Sequence, residues 1–171
     1  MSIEFIESEM RFGPFQQENC FRIEQSDLYR RIQDGLKIPE FVLLRSQPGD
    51  IASVWIVEAK TSVPREGERL NQYMGEIREK LTNAIQIIFA GRLLRHPEAI
   101  HEFPRALQEF DLQAAGFKCV LVINGAPKQY MAPLQSALAK EMGTIVKTLG
   151  LDPDSVAVIN DEQARNYRLI V

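Results

Sequence analysis

Apolar positions along this chain fall into three kinds of pattern. Phe41–Leu44 and Val54–Val57 are short runs rich in Val, Ile and Leu, separated by Ser46–Asp50 with Pro48 and Gly49. That is the signature of a hairpin of two buried strands. Between Glu66 and Leu94, Leu70, Met74, Ile77, Leu81, Ile85 and Ile88 recur at three- and four-residue steps. They predict one long helix with a single apolar stripe. Phe117–Asn124 is almost continuously apolar and stops at Gly125, as an interior strand does. A second long helix is expected from about Lys128 to Leu149, stopped by Gly150.

Weaker patterns fill the rest. Residues 1–18 mix acids with Phe5, Phe12 and Phe15 and suit an edge strand or a packed arm. Asn19–Glu24 alternates as a strand, and Ser26 reads as the N-cap of a helix over Asp27–Asp34. Pro97 and Pro104 punctuate a short helix and loop. Ser155–Asn160 and Asn166–Val171 are two more expected strands. The order is roughly β-α-β-β-α-β-α-β-β, with no repeat or linker. We expect one α/β domain over residues 1–171, a mixed sheet with helices packed on it.

Composition changes this picture little. The net charge is −3, from 20 Lys and Arg against 23 Asp and Glu, which argues mildly against a module that grips nucleic acid by charge alone. The N-terminus has no basic stretch before an apolar core, and no apolar run approaches the roughly 18 residues of a membrane helix. A cytoplasmic protein with two buried, reduced cysteines, Cys20 and Cys119, is the expectation. His96 and His101 flank Pro97 and read as surface or packing residues. The sequence contains no GxSxG, P-loop, GxGxxG or CxxC.

The charges on the hairpin do change the picture. Glu40 opens its first strand, and Glu58 and Lys60 close its second, inside sequence that otherwise reads as core. Ionised side chains are rarely buried without partners. Strand alternation sends Glu58 and Lys60 to one face with Val54 and Ile56, and Trp55, Val57 and Ala59 to the other. A turn centred near Gly49 pairs positions whose numbers sum to about 98, which sets Glu40 opposite Glu58. Two like charges so placed repel, and Lys60 supplies a single positive charge. A divalent cation would complete the neutralisation, and oxygen donors of this kind suit Mg²⁺ or Mn²⁺. The plainer reading is a strand that leaves the core, with the Glu58 and Lys60 heads in solvent.

Glu40 after Pro39, followed by a hydrophobic strand ending in Glu58-Ala59-Lys60, resembles the PD-(D/E)xK nuclease superfamily. The resemblance implies a restriction-endonuclease-like core, a central mixed β-sheet flanked by helices in the order α-β-β-β-α-β. It also implies that Glu40 and Glu58 hold Mg²⁺ or Mn²⁺, that Lys60 is the catalytic lysine, and that Glu24, or second to it Glu18, is a further metal-binding acid. The implied activity is metal-dependent hydrolysis of phosphodiester bonds in nucleic acid, DNA before RNA. Glu40 stands where the superfamily usually has Asp. A catalytically inactive binding or assembly subunit on the same fold is the alternative. In 171 residues no separate DNA-reading domain is present, so sequence specificity would need a protein partner or a homodimer. Gln72 and Tyr73 are expected on a solvated helix face, and Ser62 as a loop-capping hydroxyl. Arg30, Arg31, Lys37, Arg45, Arg65 and Arg69 lie near the hairpin and are candidates for a phosphate-binding groove.

Overall fold

Strand alternation sorts the apolar residues onto two faces, and each face recruits a different layer. A computed structural model of the chain describes residues 1–46 and 51–171. An antiparallel hairpin comes first, β1 (Ser2–Glu7) and β2 (Met10–Gln16). A two-residue strand β3 (Cys20–Phe21) and the helix α1 (Asp27–Ile32) follow. Then come β4 (Phe41–Arg45), β5 (Ser53–Lys60) and the long helix α2 (Gly67–Arg92). A 3-10 segment, Pro97–Glu102, and the short helix α3 (Arg105–Glu109) lead to β6 (Gly116–Ile123). Helix α4 (Lys128–Leu149), β7 (Val156–Asn160) and α5 (Asp161–Asn166) complete the chain.

Five strands form one mixed sheet in the order β3-β4-β5-β6-β7, flanked by helices. The β3–β4 and β4–β5 pairings are antiparallel; β5–β6 and β6–β7 are parallel. Parallel neighbours need a crossover, and α2 and α4 supply the two. Strand β5 is central, as its two apolar faces predict. Its register with β4 pairs Phe41 with Val57, the register expected from the hairpin. The turn assigned to Ser46–Asp50 lies, beyond Ser46, outside the described residues.

One face of the sheet carries Val42, Leu44, Val54, Ile56 and Leu121 against the α2 stripe and against Leu134, Leu138 and Met142 of α4. The opposite face carries Phe41, Leu43, Val57, Ala59 and Val120 against Met10, Phe12 and Phe15 of β2 and Ala164 of α5. Phe5, Phe12 and Phe15 surround Phe41, with ring centroids 5.1, 5.2 and 5.5 Å from it. Residues 1–18 are thus a two-stranded layer across the sheet rather than one edge strand. The tip of this layer grips the end of β5: the Ser8 hydroxyl donates to the Ala59 carbonyl at 2.9 Å. The Asn124 side chain donates to the Ser8 carbonyl at 3.2 Å.

Three sequence expectations are corrected. The strand over Asn19–Glu24 shrinks to two residues because the chain turns at Ile23–Gln25 to bury Ile23. Ser26 then caps α1 as expected, its hydroxyl accepting from the Tyr29 N–H at 3.0 Å, but the helix ends at Ile32. The strand expected over Asn166–Val171 is the end of a helix and a turn. Asn160 and Gln163 form a reciprocal capping box that starts α5, and among the described residues one bridge, Phe12 to Ile170, is all the strand pairing that follows. Both cysteines are buried and free, and burial pushes both thiols up to about 12. No helix among the described residues is long and apolar enough to cross a membrane.

Phe12 has no exposed surface and joins the hairpin layer to the sheet. Phe12→Ala is expected to lower unfolding stability by about 3–5 kcal/mol in urea titrations. A loss below about 1 kcal/mol would mean that the hairpin layer is not packed as described.

Candidate functional site

Glu58 lies near the end of β5, on the face covered by α2, and has no exposed surface. A carboxylate there is costly unless cations and hydrogen bonds replace water. Two ammonium groups do so. Lys60, two residues on and therefore on the same face, brings Nζ to 2.5 Å from Glu58 Oε1. Lys80 of α2 brings its own Nζ to 2.8 Å from the same oxygen. Lys80 is three residues from Ile77 and four from Ala84, both buried against the sheet, so helix geometry delivers it over the strand end. Glu58 Oε2 is buried and has no hydrogen-bond partner among the described residues.

Glu40 completes the cluster from the neighbouring strand. Its N–H donates to the Val57 carbonyl at 3.1 Å, the residue that the β4–β5 register pairs with Phe41, so Glu40 lies just before β4 and beside the end of β5. Its side chain feels the charges of Glu58, Lys80 and Lys60. Burial, then the charge of Glu58, then that of Glu7 push the Glu40 carboxyl up to about 7, against the opposing pull of Lys80 and Lys60. Burial works against the Lys60 charge, but the hydrogen bond and charge of Glu58, with Glu40 behind them, prevail and raise its pKa. Tyr73, one turn before Ile77 on α2, approaches the same group. Burial and the charges of Glu58 and Glu76 hold its phenol well above its usual range, so it is a donor, and it reaches the Ser62 carbonyl at 3.4 Å.

The fold therefore brings together Glu40, Glu58 and Lys60. The solvated-strand-end reading of Glu58 fails, because its side chain is sealed in. Glu24 is not brought in: it is exposed on the turn Ile23–Gln25, and its charge is not among those acting on Glu40. Glu18 is exposed as well. Besides Glu58, the acid whose charge acts on Glu40 is Glu7, from the tip of the β1–β2 hairpin, itself ion-paired with Arg22. Gln72 is exposed as expected, whereas Tyr73 is half-buried at the site. Of the nearby cations, Arg30, Arg31 and Lys37 pair with Asp27, Glu98 and Glu79. Arg45 donates to the Tyr167 carbonyl at 2.5 Å.

Lys80 joins the site although the sequence reading assigns it no role there. Its spacing from Glu76 suggests a local surface pair, yet its ion pair is with Glu58. The signal was its position beside the stripe residues Ile77 and Ala84.

Among the described residues no group of three or more His, Cys, Asp or Glu side chains is arranged to hold a metal ion. Two carboxylates do meet the lesser requirement of Mg²⁺, which commonly takes one or two protein carboxylates and fills the rest of its shell with water and phosphate oxygens. The unpartnered Glu58 Oε2 and the adjacent Glu40 carboxyl fit that donor set. The chain matches no family model, no curated protein and no solved structure.

The raised Glu40 pKa has a consequence for stability. Between the ordinary value of 4.5 and about 7, the folded chain keeps a proton that the unfolded chain has released, so this residue makes stability fall as pH rises through that window. Glu40→Gln removes the penalty. Its stability relative to the parent chain is expected to improve by more than about 1 kcal/mol between pH 5 and pH 8 in metal-free urea titrations. Parallel profiles for the two proteins would contradict the assigned burial and charge coupling.

Proposed function

We propose that this chain is a metal-dependent nuclease of the PD-(D/E)xK, restriction-endonuclease-like type, hydrolysing phosphodiester bonds in nucleic acid, DNA before RNA. One observation carries the reading: a fully buried carboxylate keeps one oxygen unpartnered beside a second carboxylate that is held near neutrality. Leaving a buried acceptor unsatisfied is costly, and a cation shared by Glu40 and Glu58 Oε2 removes that cost. Support also comes from the order of elements around the motif, an antiparallel hairpin followed by a helix and a strand parallel to the motif strand.

In this reading Glu40 and Glu58 hold Mg²⁺ or Mn²⁺. The bound ion supplies positive charge against the phosphate oxygens and lowers the pKa of an attacking water. Lys60 stays protonated, so its role is to stabilise negative charge developing on the phosphate rather than to remove a proton. It is also the half-buried member at the rim, 30% exposed, with Glu58 closed behind it. Lys80 positions Glu58 by occupying Oε1, which leaves Oε2 as the free donor. Tyr73 ties the loop after β5 to α2.

A second reading, a catalytically inactive binding or assembly subunit, is favoured by two specific features. Lys60 and Lys80 together already balance the charges of Glu40 and Glu58. In addition, β3 precedes α1 and is two residues long, a departure from the superfamily's order.

Calorimetry with Mn²⁺, and cleavage of mixed nucleic acids with Mg²⁺ or Mn²⁺, separate the two. The nuclease reading expects Mn²⁺ binding that Glu58→Ala abolishes. It also expects cleavage that Lys60→Ala reduces about 10²- to 10³-fold while leaving metal binding in place. A parent chain that neither binds Mn²⁺ nor cleaves any nucleic acid overturns that reading and leaves the binding subunit.

A further inference from the structure

Beyond the carboxylates, the ends of β5 and β6 open into a hollow of about 400 Å³, within the usual range of ligand sites, about 300–1,000 Å³. The loop 61–66 leaving β5 forms one wall, and the turn 124–127 with the start of α4 forms the other. Its floor is tied to Lys60. Ile123, which lines the hollow, is the direct cross-strand partner of Lys60, and the Asn124 N–H donates to the Lys60 carbonyl at 2.9 Å. The hollow therefore begins one residue beyond the candidate catalytic lysine.

We propose that this hollow receives one unpaired nucleotide of the substrate strand, next to the phosphate held at Lys60. The proposal rests on the nuclease reading for the role of Lys60. Three features of the lining point to a nucleobase. The half-buried Tyr130 ring forms an aromatic wall, and the Arg65 guanidinium lies over its face, 5.1 Å from the centroid. Bases stack on both kinds of plane. Thr61 and Ser62, both exposed, add polar residues to the lining, where the polar edge of a base can be met. The walls are stiff before any ligand arrives: Pro64, Pro127 and Pro133 all line the hollow, and Tyr73 anchors the Ser62 carbonyl from α2. Such preorganisation lowers the entropic cost of binding.

The lining also limits what fits. Glu66 is its one acidic side chain and Arg65 its one basic side chain, so the hollow itself carries no excess charge for a phosphate. The phosphate belongs at Lys60 and the base belongs in the hollow. A base still paired in a duplex cannot enter a recess behind the strand end, so single strands and overhangs are favoured over blunt duplex.

The test is fluorescence anisotropy of a fluorescein-labelled single-stranded oligonucleotide with the full chain in EDTA, where no cleavage can occur. Tyr130→Ala is expected to weaken binding roughly 5- to 150-fold, the range for one lost base stack. Tyr130→Phe is expected to retain binding, and blunt duplex to bind more weakly than the single strand. Arg65→Ala, at an exposed position, is expected to lose affinity as well, and it keeps the test open should Tyr130→Ala fold poorly. No oligonucleotide binding by the parent chain, or equal affinity in folded Tyr130→Ala and Arg65→Ala, overturns the proposal. The Mn²⁺ calorimetry separates the two claims: Tyr130-dependent binding in a chain that takes up no Mn²⁺ upholds the hollow and defeats the hydrolytic reading. Mn²⁺ uptake and cleavage that Tyr130→Ala and Arg65→Ala leave untouched, with oligonucleotide affinity unchanged, do the reverse.

Discussion

Glu58 is a carboxylate with no exposed surface in the central strand of the sheet, and much of the structure's chemistry follows from keeping it there. Taking such a group out of water costs several kcal/mol even after relaxation. The structure offsets that cost on one oxygen only, with Lys60 and Lys80 at 2.5 and 2.8 Å from Oε1. The other oxygen is left without a partner among the described residues. An ion cluster built for stability alone would be expected to satisfy both oxygens. The imbalance is what the proposed cation would relieve. Burial first, and then the same Glu58 charge, push the neighbouring Glu40 carboxyl up to about 7.

The layers around the sheet serve this arrangement. Helix α2 is long enough to bury its stripe along the sheet and still place Lys80 and Tyr73 over the end of β5. On the far side, the β1–β2 hairpin packs its phenylalanines around Phe41 and pins Ala59 through Ser8. Ala59 lies between Glu58 and Lys60, so fixing its carbonyl fixes the backbone from which both functional side chains project. Hydrophobic packing thus sets the position of the strand end, and the lysines set the orientation of the carboxylate.

Much of this was legible in the chain because strand geometry is strict. Two apolar runs and a polar break were enough to predict the β4–β5 register and the side on which Glu58 and Lys60 lie, since side-chain direction alternates without exception along a regular strand. The stripe of α2 and the interior character of β6 were legible for the same reason. Residues brought in by tertiary structure were harder to read. Glu7 reaches the site because a hairpin folds across the sheet, and nothing in residues 1–18 announces that direction. Lys80 pairs with Glu58, 22 residues earlier in the chain, a contact that helix periodicity does not announce. Glu24 was assigned through the resemblance, and the turn that buries Ile23 carries it to the surface. The C-terminal segment alternated like a strand, but the hydrogen bonds of the Asn160 and Gln163 cap outweighed a pattern only a few residues long.

The proposed function turns on whether Glu40 and Glu58 Oε2 share a divalent cation that Lys60 and Lys80 do not replace. Crystals grown with Mn²⁺ and measured at an energy where manganese scatters anomalously test it directly. The account predicts an anomalous peak within coordination distance of both the Glu40 carboxyl and Glu58 Oε2, with both ammonium groups still on Oε1. Saturating Mn²⁺ with no peak there, and Glu58 unchanged between its two lysines, would contradict it.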